Sequence, residues 1–318
     1  MKSLVNIIAP ITKILFAVSA SLFFLAYFMT SWWIPELVTC LTIFQTLSTM
    51  VFIGLFCYLR SKLWTTFGIL LAVLQVVFII TTYLKSKPLS KPGNDEVITM
   101  VQFNVRHTNK NTREVVDWLE ANHARFDAVF LQEVNMNLKS ELERLKKYYP
   151  YYVLKADRWF CRAFFSKIPI INHRTEFFNN LHGHFMNIDL KTKQNKVIKF
   201  YGLHTTSPKT SVCLDIRNQE LTEITELFSQ DPAKYKIIAG DLNTTPFSKE
   251  FRKMLATKDI NRPRVHSGSW HAHIPLNILQ MQIDHFLVSN KIDYVSQERG
   301  PSIGSDHNPI ITTIVLRD

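Results

Sequence analysis

Five short stretches of this chain place a group able to bind a metal or move a proton just where an apolar run meets polar sequence. "VQFN" ends in Asn104, "VFLQE" in Glu133, "FYGLH" in His204 and "IIAGDLN" in Asp241 and Asn243, while "GSDHNPI" sets Asp306 and His307 before the last apolar run. Glu133, Asp306 and the Asn104 amide are hard oxygen donors, which suit Mg2+ or Mn2+. A zinc site would need more imidazole or thiolate, and the four cysteines show no CxxC or Cys/His spacing. A hard cation can polarise a phosphoryl oxygen and stabilise charge on a leaving oxygen. Asp241 could then orient or deprotonate water. Asn243, two residues on in what reads as an extended segment, would point the same way and bond a phosphoryl oxygen without adding repulsive charge. His204 and His307 titrate near neutral pH and could donate to a phosphate or accept a proton. An imidazole doing this needs a partner on its other nitrogen, and Asp284 in "QIDHFLVS" is the candidate for His307.

Each residue alone has an ordinary reading: a turn asparagine, a solvated carboxylate, an Asx-turn before proline, a polar pair on an edge strand. The set in this order is what carries information. The elements around it must bring the stretches together. "VITMVQFNV", "FDAVFLQEV", "CRAFFSKIPII", "HGHFMNIDL", "KVIKFYGLHTT", "YKIIAGDLNTTP", "QIDHFLVSN" and "NPIITTIVL" read as strands; "NTREVVDWLEANHA", "KSELERLKKYY" and "RNQELTEITELFSQ" read as helices. Strand–helix–strand spacing predicts a layered α/β domain with the active strand ends at one edge.

That domain occupies 97–318. Residues 1–84 are mostly apolar and hold three runs of bilayer-crossing length, at about 14–33, 37–59 and 63–84. "KSKPLSKPGNDE" (85–96) reads as a linker with nothing to pack. Lys2, Lys13, Arg60 and Lys62 on one side, against Lys85, Lys87 and Lys91 on the other, put the amino terminus in the cytoplasm and the domain outside an inner membrane. The chain carries 37 Lys+Arg against 26 Asp+Glu, and all eleven histidines lie beyond residue 100. Chemistry therefore belongs to the second part, whose positive charge suits a polyanion. Three spans without a repeat or an intramembrane charge pair exclude a small transporter. Cys161 and Cys213 read as free thiols, with a pairing in an oxidising compartment as the alternative.

The order "FNV", "LQEV", "LHTTSP", "GDLN", "QIDHFLVS", "GSDHNPI" resembles the endonuclease/exonuclease/phosphatase superfamily, in a bacterial membrane-anchored branch. The resemblance implies a four-layered αββα sandwich and Mg2+-dependent phosphodiester hydrolysis. It implies Asn104 and Glu133 as metal ligands, with Asp306 a metal or neighbouring carboxylate. His204 would contact the scissile phosphate, Asp241 would handle water, Asn243 would support the transition state, and His307 paired to Asp284 would be the second catalytic histidine. A nuclease-type activity, endonuclease or exonuclease, is the first expectation, favoured by the charge; a phospholipid or sphingomyelin phosphodiesterase is the alternative, favoured by the anchor. Trp270 and His271 could stack on a base. A non-catalytic phosphate-binding protein is the alternative from another class.

Overall fold

The computed structural model describes residues 2–28, 32–93, 95–155, 161–179 and 183–318. Positions 29–31 of the first expected span and position 94 of the expected linker lie outside the described residues. The chain divides into two compact units, one of residues 1–85 with 245–252, the other of 86–244 with 253–318.

The first unit is helical: α1 (Lys2–Phe28), α2 (Trp33–Thr39), α3 (Thr42–Tyr58) and α4 (Lys62–Leu84). Asn6–Phe28 and Lys62–Leu84 are each long and apolar enough to cross a membrane, and α2 with α3 makes a third span if the bent pair counts as one. The second expected span is thus not one straight helix. It breaks by 73° at residues 40–41. Threonine hydroxyls bond nearby carbonyls at the break, Thr39 Oγ1 to Glu36 O and Thr42 Oγ1 to Thr39 O, offering the backbone an alternative to the helix ladder. Phe16, Phe23, Phe56 and Leu71 fill the centre of this unit. Residues 245–252 belong here through Phe247, whose ring lies 5.8 Å from Phe78 and 6.3 Å from Tyr83, and through Arg252, over Tyr27 and Phe78.

The second unit holds two sheets. One has the order β10 (Ile292–Arg299), β11 (Ile310–Leu316), β1 (Val97–Asn104), β2 (Ala128–Val134), β4 (Cys161–Ser166), β3 (Tyr151–Lys155). The other runs β5 (Ile170–Phe177), β6 (His184–Lys191), β7 (Val197–His204), β8 (Tyr235–Asp241), β9 (Asp284–Val288). Side chains alternate across a strand, so Met100, Phe130, Phe164, Ile188, Phe200, Ile237 and Phe286 meet between the sheets. Val101, Phe103, Val129, Leu131 and Phe165 face outward beneath α5 (Thr112–Ala121) and α6 (Met136–Glu141). On the other side α7 (Ser211–Gln230) sets Phe228 6.1 Å from Tyr201. The layers are therefore α, β, β, α.

Two readings change. "CRAFFSKIPII" is two strands in different sheets, because Ser166 Oγ and Ile168 close a tight turn between them. "KSELERLKKYY" is the end of α6 followed by a 3-10 helix, Leu142–Lys147. Nor is the stretch 85–96 unpacked. Lys87 N bonds Arg262 O at 2.8 Å, Ser90 N bonds Tyr294 O at 2.7 Å, and Arg317 reaches Asp95, Ser90 and Lys91. Its polar groups run beside β10, the edge strand, and satisfy donors and acceptors that an edge leaves open.

Strand direction positions the site. The pairs β1–β2 and β7–β8 are parallel, so Asn104, Glu133, His204 and Asp241 all sit at carboxyl ends. β9 runs antiparallel to β8 with Asp284 opposite Asp241, and β11 runs antiparallel to β1 just after His307. Phe130 is buried between the sheets, 5.5 Å from Phe200. Replacing it with alanine leaves a cavity there and should cost about 3–5 kcal/mol, read as a lower denaturant midpoint of the full chain in detergent; an unchanged midpoint contradicts this packing.

Candidate active site

Asn104 is buried at the end of β1, and its Nδ2 donates to Glu133 Oε1 at 3.1 Å and to Asp241 Oδ2 at 3.0 Å. Its Oδ1 accepts from Arg106 N at 3.1 Å. Glu133 sits at a register shift in β2 with φ 56°, which swings its carboxylate into the pocket. Arg106 (φ 57°) and Asn243 (φ 45°) also hold the left-handed conformation, which costs about 1–2 kcal/mol per ordinary residue and less for asparagine. Such strain gathers at functional sites.

Asp241 is held on three sides. Its N donates to Gln132 Oε1 at 2.9 Å, its Oδ1 accepts from Asn243 N at 2.9 Å, and its Oδ2 accepts from Asn104. Gly240 before it (φ 142°) lies against Leu203 so closely that the Leu203 carbonyl fills the place of a Cβ. Asn243 does not follow Asp241 in an extended segment, as the sequence implied. Its positive φ turns it, and its Nδ2 donates to Thr205 O at 2.9 Å. His307 Nδ1 lies 2.7 Å from Asp284 Oδ2, and its Nε2 is 3.7 Å from Asp241 Oδ2. His204 Nε2 is 3.5 Å from Glu133 Oε1 and 3.7 Å from Asp241 Oδ2.

Burial and charge divide these groups. Burial favours uncharged His307, yet the Asp284 and Asp241 carboxylates outweigh it and raise the ring well above its usual range, so it is an imidazolium. Burial, with Asp284 adding to it, pushes Asp241 upward. Burial drives His204 down to about 4, so its ring is neutral at pH 7. For Glu133, burial is outweighed by His204, by His107 and by the Asn104 amide, which hold the carboxyl at about 2.

The structure thus brings Asn104, Glu133, His204, Asp241, Asn243, Asp284 and His307 together. Asp306 stands apart: it is half-exposed, 3.8 Å from Arg106 Nε, while its neighbour His307 is buried. Trp270 is half-buried and bridges to Met281 and His307. Sequence reading passed over three contributors. His107 gives Glu133 Oε2 both its N (3.1 Å) and its Nδ1 (2.8 Å). Gln132 receives Asp241 N. Ser305 Oγ donates to Asn104 O at 2.7 Å and accepts from His307 N at 3.0 Å. Each lies within three residues of a group already singled out, which was the available signal.

The donors fit a hard divalent cation. Asp241, Asp284 and His307 offer ligand atoms within 4.8 Å of one another, but an imidazolium bonded to Asp284 is a poor ligand. Glu133 is ionised beside the Asn104 amide, and Asp284 Oδ1 is buried without a hydrogen-bond partner. Oxygen-rich negative charge of this kind suits Mg2+ or Mn2+ over zinc.

The endonuclease/exonuclease/phosphatase family profile matches residues 101–307. None of the curated proteins matches the chain. A solved endonuclease/exonuclease/phosphatase from Beutenbergia cavernae superposes with TM-score 0.57 at 14% identity, over 70% of this chain and 72% of that one. TDP2 from D. rerio, complexed with a single-strand DNA product, gives 0.58 at 15% identity over 69% and 99%. A mannosyl-6-phosphatase from Bacteroides thetaiotaomicron gives 0.53 at 15% identity over 69% and 100%. At these identities the likeness is one of fold, the DNase I-like sandwich of two sheets between helices.

Because Asp284 is the largest influence raising His307, Asp284→Asn should lower the pH at which that ring titrates. Histidine NMR of the metal-free full chain in micelles reads this, and an unmoved titration contradicts the pairing.

Proposed function

The chain belongs to the endonuclease/exonuclease/phosphatase family, and from that premise we propose that its pocket is a membrane-anchored, metal-dependent phosphodiester hydrolase. The observation that carries the reading is the Asp284–His307–Asp241 line of one sheet meeting Asn104 and Glu133 of the other. Glu133, with Asp306 at the rim, would hold Mg2+ or Mn2+, and Asn104 would join them by turning its amide so that Oδ1 replaces the Nδ2 that faces Glu133 here; the ion supplies charge neutralisation at the phosphoryl group when bound. The chain's own groups divide the rest. The His307 imidazolium, oriented by Asp284, donates to a phosphoryl oxygen. Neutral His204 offers a second contact to the scissile phosphate. Asn243 keeps one amide N–H beyond its bond to Thr205 and presents it to the transition state. Asp241, raised toward neutrality by burial, orients water and takes its proton as the water oxygen bonds to phosphorus. The P–O bond to the leaving group breaks with its electron pair on that oxygen, which takes a proton from solvent water to depart as an alcohol, and Asp241 returns its own proton to solvent.

Positive charge in the second unit, and the DNA product bound by the D. rerio protein, support a nucleic-acid substrate; the apolar helices support a lipid one. The helices anchor the chain in an inner membrane, amino terminus in the cytoplasm and domain on the periplasmic side. A reporter fused after Asp318 should be active only outside the cytoplasm; cytoplasmic activity reverses this orientation.

With bis-p-nitrophenyl phosphate and Mg2+, the detergent-solubilised full chain should turn over. Asp241→Asn should lower kcat by roughly 10²–10⁴-fold. EDTA should abolish activity, and Mg2+ or Mn2+ should restore it. Turnover indifferent to EDTA and to Asp241→Asn sinks the proposal, as does no turnover at all.

A further inference from the structure

One loop beside the pocket has a construction that hydrolysis does not explain. Residues 273–279 follow the turn that carries Ala272, whose N bonds Asp306 O at 2.8 Å, so the loop starts directly beside Asp306 and His307. Its tip is apolar and exposed: Pro275 is open, Leu276 is 60% exposed and Ile278 54%. Single exposed leucines are ordinary on soluble surfaces. Here, though, the backbone is braced so that the apolar side chains stay out together. Buried Gln280 donates to Ile274 O at 2.7 Å and accepts from Asn308 at 3.2 Å. Asn277 Oδ1 accepts from Gly268 N at 2.8 Å, and Asn277 O meets His266 Nε2 at 3.0 Å. A flexible loop could fold Leu276 and Ile278 inward; a braced one cannot.

The same segment starts next to the tether. Lys87 pairs with Pro263, Arg264 N bonds Lys87 O at 2.8 Å, and Arg264 Nε reaches Ser86 O at 3.2 Å. Lys87 is three residues beyond Leu84, where the last apolar helix ends, a reach of at most about 10 Å along the chain. Exposed Lys85 and Arg264 flank that point, and basic side chains there favour anionic head groups. Trp270, half-buried at the foot of the loop, is a residue type enriched at membrane interfaces.

We infer that the 273–279 loop inserts Pro275, Leu276 and Ile278 into the bilayer interface and sets the mouth of the pocket against lipid, so that the phosphodiester it takes is that of a membrane-embedded lipid. This rests on the hydrolase reading above and names its substrate class. Apolar burial at the interface would retain the pocket at the surface where such a substrate lies, which a soluble phosphodiester does not need.

The test uses the full chain, wild type and Leu276→Ser/Ile278→Ser, on three substrates: bis-p-nitrophenyl phosphate, single-stranded DNA, and mixed phosphatidylglycerol–phosphatidylcholine vesicles. The double variant should match wild type on the soluble diester and lose roughly tenfold or more on vesicles. Equal rates of both proteins on vesicles overturn the inference, and so does wild-type turnover of the soluble diester with none of the lipid. DNA turnover without lipid turnover overturns it in favour of nucleic acid. A wild type inactive on all three overturns the hydrolase reading instead.

Discussion

One amide holds the pocket together. Asn104 sits at the end of a strand in one sheet and gives its two N–H bonds to carboxylates on different sheets, Glu133 on its own and Asp241 on the other. Two carboxylates, one buried and one half-buried, that converge on one amide repel each other unless donors stand between them. Asn104 is that donor, and its backbone carbonyl also receives Ser305 Oγ, which in turn receives His307 N. A single residue thus ties together four of the chain segments at the site. The aromatic packing of Phe130 and Phe164 against Phe200 keeps the sheets at the spacing this bridge requires.

How far the sequence reveals this depends on which force acts. Buried central strands are long apolar runs, so β1, β2, β7, β8 and β11 were readable, and so were the polar residues where they stop. The edge strands β3 and β10 escaped notice because "YYVLK" and "IDYVSQER" mix polarity as exposed edges do. The turn inside "CRAFFSKIPII" depends on a serine hydroxyl that periodicity does not register. At the site, residue types were legible and orientations were not. Asp306 and His307 lie in the bend ahead of β11, so strand alternation does not set their directions, and that Asp306 faces Arg106 at the rim is a tertiary fact. His107 and Ser305 act through bonds to residues far along the chain, which a single sequence does not display.

The division of the chain is also less simple than an anchor followed by an enzyme. The polypeptide enters the second unit at Ser86, leaves it after Thr244, and re-enters at Lys253. The excursion begins at Thr245, two residues past Asn243, and it is Phe247 and Arg252 that settle among the rings of Tyr27, Phe78 and Tyr83. The loop carrying Asp241 and Asn243 is therefore covalently continuous with a segment packed among the apolar helices.

The central claim is that water activated at Asp241 attacks phosphorus in a pocket shared by both sheets. Hydrolysis of a phosphodiester by the full chain in water labelled with heavy oxygen, followed by mass spectrometry of both products, tests this most directly. The account expects one labelled oxygen per turnover on the phosphate monoester and none on the alcohol; label on the alcohol, or none on the phosphate, contradicts it.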